Sequence, residues 1–207
     1  MGRKKIIRYS LAISILLIVS DLAFAKTKIL FLGDSITEGV GVDHNKSYPA
    51  LVEIELKKNP SFDIAIVNAG ISGSTTASAL KRLKWQLKGH PDIILICLGA
   101  NDGLRGQNLD ESKLNLSKTI ELAQKNHLKV ILAGMKIPPN YGQDYSKRFE
   151  KMFEDLAFKY KIIFIPFILQ GVAADPKLNL PDGIHPNEKG HEIVAKTVLP
   201  YILEALK

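Results

Sequence analysis

From residue 27 onward, short apolar runs alternate with longer stretches of mixed character. Lys28–Leu32, Ile64–Asn68, Ile93–Leu98, Val130–Ala133 and Ile162–Ile165 are rich in β-branched residues and show no strict polar–apolar alternation. Continuous apolar runs of this length suit strands covered on both faces, so five buried parallel strands are predicted. Between them, Ser47–Lys58, Thr75–Lys88, Glu111–Asn126 and Tyr145–Tyr160 have helical spacing. Ala50, Leu51, Ile54 and Leu56 make one apolar stripe, and Leu116, Ile120, Leu122 and Ala123 another. A last helix is predicted over Asn187–Leu206, broken at Pro200. Strands and helices in strict alternation predict a three-layer α/β/α fold with a doubly wound parallel five-stranded sheet. There is no internal repeat and no second domain, so residues 26–207 form one unit.

The first 25 residues follow a different pattern. Arg3, Lys4, Lys5 and Arg8 precede a short apolar stretch, Leu11–Val19, and then Ala23-Phe24-Ala25. That is the layout of a cleavable secretory signal peptide cut after Ala25, which predicts a periplasmic or secreted protein without a stable membrane anchor. The alternative is an uncleaved anchor, against which Asp21 and the small-residue cleavage site argue. Of the 207 residues' formal charge of +7, this segment carries four basic residues and one acidic, so +4 belongs to the rest. Lysines there are mixed with Glu and Asp along helices, a solvated surface and not a nucleic-acid footprint. Cys97 lies in an apolar strand and is expected to be an inert core thiol. A monomer is expected.

Function in an open α/β sheet gathers beyond the carboxyl ends of the strands. Polar clusters follow strands there: Gly33-Asp34-Ser35, Asn68–Gly73 and Gly99-Ala100-Asn101-Asp102. Asp182-Gly183-Ile184-His185-Pro186 precedes the last helix. Ser35 needs a base to become a nucleophile, and His185 is the candidate. Its imidazole needs a buried carboxylate to hold one tautomer, for which Asp182 is the candidate. The backbone N–H of Ser35, the backbone N–H of Gly73 and the Asn101 amide could serve an oxyanion. The G-x-S-x-G elbow of other α/β hydrolases is absent, because Gly39 falls four residues after Ser35.

The segments Gly33-Asp34-Ser35-Ile36-Thr37-Glu38-Gly39, Gly73, Gly99-x-Asn101-Asp102 and Asp182-x-x-His185-Pro186 resemble the four blocks of the GDSL or SGNH hydrolases, in the family's order. Asn101–Gly106, Pro138-x-Asn140-Tyr141-Gly142 with Tyr145, and Asp182–Asn187 look like its bacterial periplasmic thioesterase, lysophospholipase and arylesterase branch. The resemblance spans nearly all of residues 27–205. It implies Ser35 as nucleophile, His185 as base, Asp182 as its orienting acid, Ser35, Gly73 and Asn101 as oxyanion donors, and Asp34 as support of the serine turn. It also implies strand order 2-1-3-4-5 and no metal or organic cofactor. Ser74 stands where that branch carries an acidic residue, a departure that touches substrate preference and not the reaction.

The expected substrate is a small-molecule or lipid ester: an acyl ester, thioester or lysophospholipid. Ile71, Leu104, Ile137, Pro138 and Tyr141 are expected to line its acyl groove. Their apolar character speaks against a carbohydrate O-acetylesterase. A phosphate- or flavin-binding module is disfavoured because Asp34, not a basic residue, sits in the first turn. A binding domain with a dead triad is the remaining alternative. The other histidines have simpler explanations. His90 introduces strand three at the far end of the sheet, His127 ends a helix, and His44 has no carboxylate at useful spacing. His191 belongs to the last helix, and with His185, Asp182 and Glu188 it fits no zinc spacing.

Overall fold

Five short strands run parallel in a single sheet of order β2-β1-β3-β4-β5: β1 (Thr27–Gly33), β2 (Ile64–Gly70), β3 (Ile93–Cys97), β4 (Lys129–Ala133) and β5 (Ile163–Ile165). The computed structural model describes residues 26–207; the expected signal peptide, residues 1–25, lies outside the described residues. The helices are α1 (Ser35–Glu38), α2 (Tyr48–Leu56), α3 (Ala79–Gln86), α4 (Ala100–Leu104), α5 (Leu109–Lys125), α6 (Gln143–Tyr160) and α7 (Glu188–Ala205). Helix α2 packs on α7, while α5 packs between α3 and α6, so the sheet is covered on both faces. That explains the unbroken apolar runs. Ile29, Leu30, Phe31 and Leu32 are all buried although successive side chains point to opposite faces.

Three local differences from the sequence expectation have physical causes. Helix α7 runs through Pro200 instead of breaking there. Pro200 is exposed, so the carbonyl it deprives of a partner can meet water, while Val194, Val198 and Ile202 keep the helix on the sheet. The expected helix Thr75–Lys88 is α3 flanked by 3₁₀ turns at Thr76–Ser78 and Leu87–Gly89. Its start is held out of α-helical form by Thr76, whose N–H and hydroxyl both donate to Asp102. Helices α1 and α4 were not expected; each is one turn beginning where a turn cluster follows a strand.

Strand register brings the clusters together. Gly33 pairs with Gly70 on one side and Cys97 on the other, so β1, β2 and β3 end level. Gly70 matters further. A Cβ there would lie 2.1 Å from the Glu38 nitrogen and 2.6 Å from its Cα, inside the backbone of α1. Only a glycine lets β2 end against the helix that carries Ser35. Gly70→Ala is therefore expected to cost about 1–3 kcal/mol or more through overpacking, and to lower ester turnover by displacing α1. Urea unfolding and turnover measured side by side check this; a variant matching the parent in both would show that α1 yields freely.

Candidate active site

Asp34 and Ser35 sit where β1 turns into α1. The Asp34 carboxylate accepts the Ile36 N–H at 3.1 Å, capping α1 and fixing Ser35 as its first residue. Gly39 closes the turn at φ 86°, its N–H bonded to the Ser35 carbonyl. Behind α1, Asn68 donates to the Thr37 carbonyl at 2.8 Å, and the Thr37 hydroxyl bonds the Tyr48 hydroxyl at 2.9 Å. Ser35 is thus held from three sides, with 7% of its surface exposed.

The Asp182–His185 loop arrives from the other end of the chain. It is closed by an isolated antiparallel bridge between Asn179 and Pro186 and by the Leu180 N–H donating to the His185 carbonyl at 2.7 Å. Asn179 Nδ2 donates to the carbonyls of Val172 and Asp175, and Asn187 Nδ2 to that of Lys177, which anchors both strands of the bridge. Within the loop, His185 Nδ1 meets Asp182 Oδ2 at 2.8 Å and His185 Nε2 meets Ser35 Oγ at 2.9 Å. Asp182 also accepts the N–H groups of His185 at 3.0 Å and Ile184 at 2.8 Å.

The sequence led us to expect a buried carboxylate behind the histidine, and this is corrected. The Asp182 side chain is 43% exposed. Its charge is held by donors instead. The His185 N–H, the His185 imidazole and the Ile184 N–H bring its pKa down to about 2. A carboxylate fixed in this way sets Nδ1 as the protonated nitrogen, leaving the Nε2 lone pair toward the Ser35 hydroxyl. Such an arrangement can take a proton from serine and return it to a leaving group.

The remaining blocks lie alongside. Ile71–Ser74 is a tight turn, with the Ser74 N–H on the Ile71 carbonyl and Gly73 at φ 73° in the third position, as a glycine-requiring turn demands. Asn101, in α4, donates from Nδ2 to the Ser74 carbonyl at 3.0 Å, so one amide hydrogen anchors the turn and the second remains for a ligand. Arg105 Nη2 bridges the Gly73 carbonyl at 3.2 Å and Asn101 Oδ1 at 3.5 Å. Beneath them the buried Asp102 accepts from Thr76 N, Thr76 Oγ1 and Ser112 Oγ, at 3.0, 2.6 and 2.9 Å. The sequence reading assigned no role to Asp102, Arg105 or Arg82. Arg82 donates to the carbonyls of Gly33 and Ala69, tying together the ends of β1 and β2. An Asp inside the Asn101-Asp102 block was a signal; nothing in the sequence marked Arg82.

A groove of about 360 Å³ opens beside Ser35. Ile36, Ala100 and Ile184, chain neighbours of Ser35, Asn101 and His185, line it, and Leu104, Ile137 and Pro138 line it as expected. Phe167 and Leu169, which the sequence reading did not single out, also line it, with Met135, Ala173, Ala174, Gly183 and Lys136. Two expected members are elsewhere. Tyr141 lies outside the lining and donates its hydroxyl to the Leu104 carbonyl at 2.9 Å. Ile71, 54% exposed, faces a different groove beside Trp85.

His191 and Cys97 take structural positions. His191 is fully buried, and its Nδ1 accepts the Tyr48 N–H at 3.2 Å. Cys97 is buried, and burial pushes its thiol up to about 12.

Asp34 and His191 give stability opposite slopes with pH. Burial raises Asp34 to about 6 from 3.8, so the unfolded chain ionises first and stability falls as pH rises from about 4 to 6. Burial lowers His191 from 6.5 to about 4, so the unfolded chain protonates first and stability falls as pH drops over nearly the same interval. Asp34→Asn keeps a capping oxygen but removes the first slope. The variant's unfolding free energy minus the parent's is expected to rise by about 2 kcal/mol between pH 4 and 6. Urea titrations across that range check it; parallel curves would mean that Asp34 ionises normally.

Residues 31–193 match the GDSL-like lipase/acylhydrolase family. The chain belongs to that family. It is 37% identical to an arylesterase from Vibrio mimicus over 183 residues, covering 88% of this chain and 91% of the relative. It is 31% identical to thioesterase 1/protease 1/lysophospholipase L1 of Escherichia coli strain K12 over 196 residues, 94% and 92% of the two chains. The crystal structure of TesA superposes with a TM-score of 0.83 at 34% identity, covering 86% of this chain and 99% of its own. AlinE4, an SGNH-hydrolase family esterase, gives 0.73 at 36% identity, covering 88% and 98%. This member of the family is an ester hydrolase with its sheet in the order first implied by four sequence blocks.

Proposed function

We propose that the chain hydrolyses carboxylic esters through an acyl-enzyme on Ser35. The observation that carries this is the unbroken hydrogen-bond line Ser35 Oγ–His185–Asp182, at 2.9 and 2.8 Å. In this reading neutral His185 accepts the Ser35 proton at Nε2 as Oγ bonds to the acyl carbon. The new imidazolium is stabilised by ionised Asp182. The oxyanion is met by the N–H of Ser35, the N–H of Gly73 and the free amide hydrogen of Asn101. His185 then gives its proton to the departing alcohol or thiol as the C–O or C–S bond breaks. Water repeats the sequence on the acyl-enzyme and restores Ser35.

The groove argues for substrates with an apolar acyl chain, thioesters and lysophospholipids among them, as the names of the relatives suggest for those proteins. A buried methylene contributes about 0.8 kcal/mol, so kcat/KM should rise up to about fourfold per carbon until the groove ends. We also infer that residues 1–25 direct export to the periplasm or beyond the cell and that the remaining chain acts as a monomer.

The test has two arms. A fluorophosphonate probe followed by peptide mass spectrometry is expected to label Ser35; labelling elsewhere or nowhere would overturn the acyl-enzyme. Rates on p-nitrophenyl esters from acetyl to dodecanoyl, beside a lysophospholipid and an acetylated sugar, address the substrate. Turnover confined to acetyl groups would replace the acyl-chain reading with an acetylesterase.

A further inference from the structure

The groove that holds Ile71 belongs to no part of the ester chemistry. It has a volume of about 750 Å³ and runs along α3 beside β2, the edge strand of the sheet. Its apolar surface comes from Trp85, 66% exposed, and Ile71. Val67, also exposed, projects on the same face of β2 as Ala69, a groove residue two positions on. Scattered exposed apolar residues are ordinary, but Trp85 and Ile71 line one groove, and exposed Val67 precedes its member Ala69 on the edge strand.

The charge around this corner is one-sided. Lys81, Lys84 and Lys88 rim the groove and are exposed, and none forms an ion pair among the described residues. From Ile64 to Pro91 the chain carries no Asp or Glu, whereas 21 are spread over its 207 residues. The Lys88 ammonium lies over the Trp85 ring, 4.1 Å from its centroid. An indole flanked by lysines on long aliphatic stems suits the boundary between acyl chains and headgroups. The ring enters the apolar layer while the ammonium groups stay with phosphates.

We propose that this face docks the protein on an anionic phospholipid bilayer through Trp85, Lys81, Lys84 and Lys88. The groove begins at Ile71, whose N–H donates to the Gly33 carbonyl next to Asp34 and Ser35. A docked protein would hold its serine close to the lipid surface. The inference does not depend on lipid esters being substrates, because its readout is binding.

Trp85 is the only tryptophan in the 207 residues, so its fluorescence reports this face alone. The full chain is mixed with vesicles of phosphatidylcholine, or of phosphatidylcholine and phosphatidylglycerol in equal parts. Trp85 emission is expected to shift to the blue, and to become shielded from iodide, with the mixed vesicles only, and to revert as salt is raised. Neutralising all three lysines, in Lys81→Gln/Lys84→Gln/Lys88→Gln, is expected to weaken binding about a hundredfold, from roughly fivefold per charge. Turnover of p-nitrophenyl acetate by this variant should match the parent, showing that the fold is kept. Sedimentation with vesicles while Trp85 emission stays unchanged would overturn the proposal, because another part of the chain, residues 1–25 included, would then carry the binding. Equal binding of neutral and anionic vesicles would overturn it too. So would a shift of Trp85 with soluble heparin but not with vesicles.

Discussion

Replacing Ser35 with alanine is expected to lower kcat for any ester by about 10⁴–10⁶ and to leave the fold intact. The large loss follows from the line of hydrogen bonds. Without Oγ, His185 Nε2 has no nucleophile to deprotonate, and the acyl-enzyme cannot form. What remains is water attack on an ester still met by the oxyanion donors, the part of catalysis that survives loss of a nucleophile elsewhere. Stability should change little. Oγ meets only His185, and α1 is set by the Asp34 cap, the Gly39 turn and the Asn68 and Thr37 bonds, none of which uses the serine hydroxyl. Steady-state turnover with urea unfolding checks both halves. More than a tenth of parental kcat would remove Ser35 from the chemistry.

Much of this site could be read from residue order because its parts are local. Ser35 is placed by the residue before it and a glycine four later. Asp182 and His185 share one short loop whose own N–H groups bind the carboxylate. A sheet with level strand ends then brings such clusters together without further information. What the sequence concealed depends on contacts between distant segments. Arg82 reaches two carbonyls at strand ends, with no spacing that announces it, and Asp102, marked only by its place beside Asn101, gathers Thr76 and Ser112 from separate elements. The groove illustrates the same limit. Leu104, Ile137 and Pro138 meet there, yet Ile71, equally apolar and nearer Gly73 in the chain, turns outward along α3, because the turn after β2 directs it away from Ser35. The exposure of Asp182 was concealed for a different reason. Burial is one way to keep a carboxylate oriented, and three N–H donors are another; periodicity cannot distinguish them.

Asn101→Ala is expected to reduce kcat by about 10²–10³ with little change in KM. Its amide has two hydrogens, and the structure commits one to the Ser74 carbonyl. The other is free to meet negative charge that develops only as the tetrahedral intermediate forms, so its bond should strengthen between ground state and transition state. Its loss then falls on the rate. The same substitution releases the Gly73 turn from one tie, although Arg105 still holds the Gly73 carbonyl and Asp102 still holds Thr76. Those remaining anchors separate the two contributions. Arg105→Gln removes a tie on the turn and the long 3.5 Å contact to Asn101 Oδ1, but the Asn101 amide is still held by the Ser74 carbonyl, so it should cost far less in kcat than Asn101→Ala. Kinetics of the two variants on one soluble ester decide the matter. Equal losses would make Asn101 a brace for the turn, and a change confined to KM would make it a ground-state contact; a rate loss specific to Asn101→Ala assigns it to the oxyanion.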